Sequence, residues 1–140
     1  MTNLTFLSLA QNSFTGSLPD GSWTSMLSFN ISYNNFRGCL PPSIQHMTKL
    51  LSLACNNNNL QGSIPNIFQN LLSIVQLEMQ NNSFTGTLPV SLTSLIYLTY
   101  FDISFNALSG TLPRFQCLEN LQYFLVRSNR LTGIIVFKKY

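Results

Sequence analysis

Charged side chains are scarce in this 140-residue sequence, where lysine, arginine, aspartate and glutamate together make up only 8%. The sequence nevertheless has no apolar run of the roughly 18 residues that a membrane-spanning helix needs. Its longest apolar stretches lie at Ile134–Phe137 and around Leu71–Val75. Asparagine, serine, threonine and glutamine take the place of charge, so we expect a neutral, hydrogen-bonding surface and no transmembrane segment.

Basic residues are few and scattered. The formal net charge is +3, and Lys138–Lys139 is the only adjacent basic pair. Nucleic-acid binding requires a stripe or patch of lysine and arginine that meets the phosphates. We therefore expect no nucleic-acid partner.

Titratable groups of other kinds are also rare: four carboxylates, one histidine (His46) and three cysteines. Enzyme active sites need convergent titratable groups, and metal sites need clustered ligands. We therefore expect no catalytic residue, no metal site and no cofactor, and the protein is predicted not to be an enzyme.

Self-similarity is what the sequence has in abundance. The pattern Asn-x-(Leu/Phe)-x-Gly-x-(Leu/Ile)-Pro recurs every 22 to 24 residues, and a sixth, incomplete copy closes the series. The copies are NSFTGSLP, NNFRGCLP, NNLQGSIP, NSFTGTLP, NALSGTLP and NRLTGIIV. Six of the seven glycines occupy the same slot, which indicates a tandem repeat.

An apolar frame, Leu-x-x-Leu-x-Leu, precedes each copy. Its last two members are two residues apart, which is the periodicity of a strand. The trios are Leu4, Leu7, Leu9; Met26, Phe29, Ile31; Leu50, Leu53, Cys55; Ile74, Leu77, Met79; Leu98, Phe101, Ile103; and Leu121, Phe124, Val126. One strand per repeat, stacked on the next in a parallel sheet, would bury faces that a single repeat cannot bury alone.

The other slots have physical reasons as well. A short amide at the end of each strand can bond the turning backbone, and stacked copies would form an asparagine ladder. Its members are Asn12, Asn34, Asn58, Asn82, Asn106 and Asn129. Glycine permits a turn that other residues disfavour, and the proline after it marks the start of the outer segment. A further inward column is predicted at Phe14, Phe36, Leu60, Phe84, Leu108 and Leu131.

These repeats resemble the plant-specific class of leucine-rich repeats, as found in receptor-like kinases, receptor-like proteins and polygalacturonase-inhibiting proteins. The resemblance runs from Leu4 to about Ile135 and rests on the Gly-x-(Leu/Ile)-Pro element. It implies an α/β solenoid: a right-handed superhelix of about six repeats with a concave parallel sheet and short helical or 3-10 turns on the convex side. It also implies a non-enzymatic, extracellular or cell-surface module that binds a protein, peptide or glycan, with a co-receptor as a further partner. The stretch Leu18–Met26, LPDGSWTSM, also resembles repeats of kinetoplastid surface antigens.

The sequence is expected to form one domain over residues 1–140, with repeats at about 4–25, 26–49, 50–73, 74–97, 98–120 and 121–140. No signal peptide precedes Leu4, no paired-cysteine cap flanks either end, and the last copy lacks its proline. Terminal repeats normally carry a cap that shields the core from water. We therefore expect a fragment without terminal caps. The alternative is an intact small protein whose uncapped ends self-associate. A local irregularity is expected from Pro19 to Met26.

The three cysteines are not expected to pair. Cys55 occupies an inward strand slot, which favours core packing. Cys39 and Cys117 lie more than three repeats apart, too far to bridge at about 4.8 Å per repeat. An odd count leaves free thiols, and His46 on the outer segment is expected to be solvated.

The outward slots of the strands are the predicted ligand-binding surface. Aromatic residues beside acids and one arginine suit peptide or glycan recognition, because aromatics provide much of the contact energy at such sites. The predicted binding residues are Gln76, Glu78, Tyr100, Asp102, Phe105, Tyr123 and Arg127. The alternative is that they are scaffold and that the ligand contacts other repeats.

Glu78 and Asp102 share one slot on adjacent strands, so they should be neighbours. Paired carboxylates can share a proton and perform acid–base chemistry. The favoured interpretation is two solvated acids in a polar binding patch, because no nucleophile or base is evident near them.

Glycosylation sequons begin at Asn3, Asn30 and Asn81. The last two fall on or beside the predicted concave face, where a glycan would restrict what can bind.

A different hypothesis concerns the serine and threonine residues on either side of the repeat glycines. Stacked hydroxyl rows can template water, as in ice-binding solenoids, and some plant antifreeze proteins resemble this repeat family. Arg37, Cys39 and Gln61 interrupt the rows, and the alternative is an ordinary solvated turn.

Overall fold

The chain folds as an α/β solenoid of two parallel six-stranded sheets, seen in a computed structural model that describes residues 3–21 and 23–134. We call the first the front sheet. Its strands are β1 (Phe6–Ser8), β3 (Ser28–Asn30), β5 (Ser52–Ala54), β7 (Gln76–Glu78), β9 (Tyr100–Asp102) and β11 (Tyr123–Leu125). The second sheet contains β2 (Thr15–Ser17), β4 (Asn35–Gly38), β6 (Asn59–Ser63), β8 (Ser83–Gly86), β10 (Ala107–Thr111) and β12 (Arg130–Thr132).

The front sheet pairs equivalent residues of successive repeats. Leu53 lies opposite Leu77, and Leu77 lies opposite Phe101. These central residues point into the core and are fully buried, as the apolar frame predicts. Because side chains alternate along a strand, the residues on either side of them face outward.

The second sheet corrects the prediction of one strand per repeat, which is wrong: each repeat forms two. After the repeat asparagine the side chains alternate, with Asn59 and Gln61 exposed and Leu60 buried. Each strand pairs with the next repeat at a stagger of two residues, so Gly62 lies opposite Phe84 instead of opposite its repeat equivalent, Gly86. Each repeat glycine therefore lies within one residue of the end of a strand in the second sheet.

Most of the predicted inward column before each glycine is buried. Phe36, Leu60, Phe84 and Leu108 belong to the core, but Phe14 is 45% exposed. Strand β2, which follows Phe14, lies at the edge of the second sheet. Phe14 therefore stands at the exposed end of this column, where its ring stacks on the buried Phe36 at a centroid distance of 6.1 Å.

Close packing between repeats explains the repeat glycine at Gly110. It has φ +77°, and a Cβ there would lie 2.8 Å from Cγ2 of Thr87 in the preceding repeat. A side chain at this position meets both backbone strain and a steric clash. The glycine slot thus serves stacking as well as chain reversal.

The outer segments contain short 3-10 helices at Pro42–His46, Phe68–Asn70 and Val90–Ser94, as predicted. Neighbouring segments are linked: Phe68 N–H donates to Ser91 Oγ at 3.2 Å, and Ser91 N–H donates to Asn66 Oδ1 at 3.1 Å. His46 is exposed.

The outer segment around Pro19–Met26 is the predicted irregular one. Its described residues form no 3-10 helix, and Trp23 instead packs edge-on against Phe29 at 5.4 Å. Ser22 within the LPDGSWTSM stretch lies outside the described residues, as do Lys138–Lys139 and most of Ile134–Phe137. No helix among the described residues is long and apolar enough to cross a membrane.

The ladder asparagine, four residues after each front strand, joins successive repeats through hydrogen bonds to the backbone. Asn58 Oδ1 accepts a hydrogen bond from Phe36 N–H at 3.0 Å, and its Nδ2 donates to Ile31 O at 2.9 Å, both in the preceding repeat. Asn34, Asn82, Asn106 and Asn129 make the same two bonds one repeat back. The side chain of Asn12, in the first repeat, bonds only its own turn.

Candidate ligand-binding surface

The register of the front sheet arranges its outward side chains in columns that run across the repeats. The first column contains Phe6, Ser28, Ser52, Gln76, Tyr100 and Tyr123. The second contains Ser8, Asn30, Ala54, Glu78, Asp102 and Leu125. The predicted neighbours Glu78 and Asp102 are directly opposed, which confirms that part of the prediction.

Two tyrosines form the aromatic centre of this surface. The rings of Tyr100 and Tyr123 lie 5.7 Å apart between centroids at an interplanar angle of 43°. Tyr123 is 57% exposed, and Gln76 in the same column is also exposed. The exposed ring of Tyr123 and the side chain of Gln76 are therefore accessible to a ligand that lies across the last repeats.

Asp102 is less available than a solvated acid. It is only 7% exposed, and its Oδ1 accepts a hydrogen bond from Ser104 N–H at 2.8 Å. Asn30, in the same column, makes the same local bond to Ser32 N–H. Asp102 thus stabilises the turn after its strand, and the half-buried Glu78 is the more accessible of the two acids.

The two acids act on Tyr100. Burial raises the pKa of its phenol, and the negative charges of Asp102 and Glu78 raise it further. The phenol therefore remains a neutral hydrogen-bond donor beside two carboxylates.

A column of residues in the left-handed backbone conformation borders the surface. One residue before each ladder asparagine has φ between +54° and +58°; these are Gln11, Tyr33, Asn57, Asn81, Phe105 and Ser128. For a bulky side chain this conformation is costly. Phe105 nonetheless adopts it, and its exposed ring lies under Arg127 with the guanidinium carbon 4.7 Å from the centroid.

A row of polar side chains without partners lies two residues after the second column. Asn56 Oδ1, Gln80 Oε1 and Ser104 Oγ are buried and have no hydrogen-bond partner. The three residues belong to consecutive repeats and follow Ala54, Glu78 and Asp102. Sequence reasoning did not single them out, although their shared slot is visible in the frame.

The described cysteines are all free: Cys39 and Cys117 are exposed, and Cys55 is buried. Burial raises the pKa of the Cys55 thiol from 9.0 to about 12, with a smaller contribution from the charge of Glu78. The described residues contain no group of three or more histidine, cysteine, aspartate or glutamate side chains that could hold a metal.

The predicted glycan acceptors differ in accessibility. Asn3 is exposed. Asn81 is exposed, but its Nδ2 donates to Asn57 Oδ1 at 3.0 Å, and Asn30 is half-buried with its Oδ1 engaged by Ser32. Glycosylation at these positions stays a prediction.

The serine and threonine rows beside the glycines lie along the second sheet. The two-residue stagger makes them run obliquely, so Ser63 pairs with Thr85 instead of with its equivalent Thr87. The ice-binding hypothesis stays a prediction on this sheet.

Comparison with known families finds a match to the family described as Leucine Rich Repeat over residues 3–24, 25–47, 49–71 and 73–95. A comparison with curated proteins gives no match.

Solved structures of plant receptors share the fold. The plant peptide hormone receptor RGFR1 in complex with RGF2 is 34% identical with a TM-score of 0.92, covering 95% of this chain and 22% of that one. The Arabidopsis receptor kinase HAESA, in complex with the peptide hormone IDA and the co-receptor SERK1, is 33% identical with a TM-score of 0.91, covering 94% and 22%. The ectodomain of GASSHO1/SCHENGEN3 from Arabidopsis thaliana, in complex with CASPARIAN STRIP INTEGRITY FACTOR 2, is 33% identical with a TM-score of 0.92, covering 95% and 16%. This chain thus spans about a fifth of the length of these structures.

Proposed function

This chain belongs to the leucine-rich repeat family, with repeats of the plant type, and on that premise we propose that it is a non-enzymatic extracellular recognition module. Its ligand is a peptide or an extended segment of a protein. The binding surface is the front sheet across the last three repeats. A co-receptor is a further partner in this proposal, as in the HAESA complex.

The observation that carries the proposal is the tyrosine pair on an open sheet. Tyr100 and Tyr123 lie in register with centroids 5.7 Å apart. Phe105, held in an unfavourable backbone conformation, adds a third ring at the same end of the sheet. Aromatic anchors supply a large share of binding energy at protein interfaces, and strained residues persist mainly where function requires them.

The neighbouring structures support a peptide over a glycan. Three of the similar structures are complexes with peptide hormones or a named protein factor. An extended peptide can lie across six parallel strands and meet one outward side chain per repeat, at steps of about 4.8 Å.

A displayed random-peptide library screened against the 140-residue chain tests the proposal. We expect enriched peptides whose binding falls at least about tenfold in the Tyr123→Ala variant, because truncating an aromatic anchor typically costs more than 1 kcal/mol. Tyr97→Ala is the matched control, since both tyrosines are 57% exposed but Tyr97 precedes β9 and lies outside the front-sheet columns. Its binding should be unchanged.

Two results would contradict the proposal. One is an enriched peptide that binds equally well to the Tyr100→Ala/Tyr123→Ala double variant. The other is a library that yields no enriched peptide while an oligosaccharide array binds the chain, which would replace the peptide with a glycan.

A further inference from the structure

We propose that the flank of the solenoid contains a second binding site, a groove between the fourth and fifth repeats that takes an acidic residue and a neighbouring aliphatic residue from an extended segment of a partner protein. We call it the flank groove. The residues that line it include Thr87, Val90, Thr111, Leu112 and Arg114. None of its lining residues belongs to the front sheet, so it is a separate surface from the one that binds the peptide in the proposed function.

The flank groove opens where a pair of hydrogen bonds between outer segments is interrupted. Between the third and fourth repeats, Ser91 N–H donates to Asn66 Oδ1 at 3.1 Å, and Phe68 N–H donates to Ser91 Oγ at 3.2 Å. One repeat later, Val90 occupies the slot of Asn66 and Phe115 occupies the slot of Ser91. Neither side chain has an oxygen, so this pair of bonds cannot form between the fourth and fifth repeats.

The outer segment of the fifth repeat also differs in conformation from that of the fourth. The fourth repeat forms the 3-10 helix Val90–Ser94, whereas the described residues that follow Pro113 in the fifth repeat form no helix. The ring of Phe115 packs into the core, with centroid distances of 6.5 Å to Phe101 and 5.2 Å to Phe124. The two outer segments leave between them an open groove of about 530 Å³, a volume in the range of ligand sites.

Arg114 gives the flank groove an unpaired positive charge. It is exposed, and it makes no hydrogen bond or ion pair with any residue in the described part of the chain. No acidic residue lines the groove, and Glu119, the acid of the same outer segment, is not among the lining residues. An arginine binds a carboxylate through two parallel hydrogen bonds. The charge of the groove is therefore complementary to an acidic side chain.

The charges of the two sheets direct an acidic segment to the same side of the molecule. The strands of the second sheet contain two arginines, Arg37 and Arg130, and no acid. The strands of the front sheet contain Glu78 and Asp102 and no basic residue. An acidic partner is therefore attracted to the flank and disfavoured on the front sheet.

An apolar wall accompanies Arg114 in the groove. Val90 is 67% exposed, and Leu112 and Pro113 are half-buried. Covering this wall with an aliphatic side chain is favourable, whereas the hydroxyls of a sugar would lose water there without gaining partners. Thr111 also lines the groove, is exposed, and has a hydroxyl that can donate to a carboxylate. The groove thus fits an acidic residue beside an aliphatic one.

The open form of the groove favours a segment of a protein over a free small molecule. A small ligand is held by a pocket that encloses most of its surface. The flank groove is open to solvent and can contact only a few side chains of its occupant. Such a contact contributes to binding when the rest of a larger partner holds the segment in place.

A displayed random-peptide library tests the proposal when it is screened against the Tyr100→Ala/Tyr123→Ala variant of the 140-residue chain. This variant lacks the two aromatic anchors of the front sheet but keeps every residue of the flank groove. We expect enriched peptides that place Asp or Glu beside Leu, Ile or Val. One of them is then synthesised with its acidic residue and with the corresponding amide. The amide form should bind about tenfold more weakly, because it loses hydrogen bonds that involve a charged acceptor.

Arg114→Gln, added to the screened variant, completes a double-mutant cycle. The acidic and amide peptides should then bind equally, because the charge that distinguishes them is gone. Arg37→Gln is the matched control, since Arg37 is also exposed but lies in β4, outside the flank groove. It should retain the full tenfold difference. Both arginines are on the surface, so neither substitution should change the urea unfolding of the chain by more than about 0.5 kcal/mol.

Val90→Ala tests the apolar half of the groove. It should weaken the acidic and the amide peptide alike, by about three- to tenfold, because it removes apolar contact and no charge. Unchanged binding of both peptides would show that the aliphatic residue lies elsewhere and would contradict the proposed occupant.

The other failures have distinct results. If the screen enriches no acidic–aliphatic peptide, or if the penalty for the amide is the same in Arg114→Gln, the flank groove does not bind an acidic segment. If an array of carboxylated oligosaccharides binds instead and depends on Arg114, the occupant is a glycan and the proposed partner is wrong. The screened variant lacks the tyrosine pair, so each of these results leaves the recognition function of the front sheet to its own test.

Discussion

Arg127 lays its guanidinium over the ring of Phe105, with the guanidinium carbon 4.7 Å from the ring centroid, while Phe105 itself is held at φ +55°. A left-handed backbone costs about 1–2 kcal/mol for a residue other than glycine, and asparagine tolerates it best among the rest. The contact between the arginine and the ring recovers about 0.5–1 kcal/mol at an exposed site. The pair therefore combines local strain with a surface contact.

Substitutions at Phe105 should separate the cost of the strained backbone from the contribution of the ring contact to the free energy of unfolding. Phe105→Asn should leave the free energy of unfolding within about 1 kcal/mol, because relieved strain offsets the lost ring contact. Phe105→Val should destabilise the fold by about 1–2 kcal/mol, since a β-branched residue is poorly accommodated at positive φ. Urea unfolding measures both. Leu125→Val, a similarly exposed site in strand β11, is the control and should change stability by no more than about 0.5 kcal/mol. Equal effects of Asn and Val at residue 105 would contradict the strained conformation.

That strained column shows where prediction from sequence reaches its limit. Asn57 and Asn81 are residue types that adopt positive φ readily, but Gln11, Tyr33 and Phe105 have no such preference. What they share is a backbone hydrogen bond from their N–H to the following repeat, which no single repeat encodes. The front-sheet register, in contrast, follows from the apolar frame, because pairing equivalent residues buries every frame side chain on one face.

The second sheet could have been predicted and was missed for a physical reason. The exposed–buried–exposed alternation of Asn59, Leu60 and Gln61 is a strand pattern. Glycine two residues after Leu60, and proline after that, favour a turn. Pairing with the neighbouring repeat outweighs that local preference. The burial of Asp102 is likewise not visible in the sequence. Its carboxylate bonds Ser104 N–H, and that bond depends on the turn that follows the strand.

Asn58→Ala should destabilise the fold. It would leave the N–H of Phe36 without its partner inside the core and remove one of the two asparagine donors to the carbonyl of Ile31. An unsatisfied buried group costs about 1–3 kcal/mol, and we expect a loss of about that size in the free energy of unfolding. Asn12→Ala is the matched control, since Asn12 is exposed and its side chain bonds only its own turn. Its effect should stay below about 1 kcal/mol. Similar losses at both positions would mean that the bonds between repeats contribute little.

Gly110→Ala should combine two separable costs. Positive φ contributes about 1–2 kcal/mol, and the 2.8 Å approach to Thr87 Cγ2 adds an overpacking cost of about 1–3 kcal/mol. Gly16→Ala isolates the first cost, because Gly16 has φ +87° and nothing within 4 Å of its Cβ position. Thr87→Ser removes the clashing methyl group. In a double-mutant cycle followed by denaturant unfolding, Thr87→Ser should therefore bring Gly110→Ala back to the Gly16→Ala value. Additive effects of the two substitutions would contradict the steric contact.

Thiol labelling should distinguish the three cysteines by burial. At pH 8, Ellman's reagent should react promptly with two thiols of the native chain, those of Cys39 and Cys117. The third, Cys55, should react only after denaturation, because the reagent requires an exposed thiolate. The Cys55→Ala variant should give two reactive thiols both with and without denaturant. Prompt reaction of three thiols in the native chain would contradict the buried position of Cys55.

The buried thiol of Cys55 should make the free energy of unfolding decrease as the pH rises above 9. Burial, and to a lesser extent Glu78, raises the pKa of Cys55 in the folded state from 9.0 to about 12. Below pH 9 the thiol is protonated in both folded and unfolded chains, and its favourable contribution is complete. Between pH 9 and about 12 the unfolded chain releases this proton while the folded chain keeps it, so stability falls with a slope of up to about 1.4 kcal/mol per pH unit. Tyrosines and lysines titrate in the same range, so the quantity to measure is the difference in unfolding free energy between the native sequence and Cys55→Ala from pH 8 to 10.5. That difference should be constant below pH 9 and shrink above it, and a difference that stays constant throughout would show that Cys55 titrates normally in the folded chain.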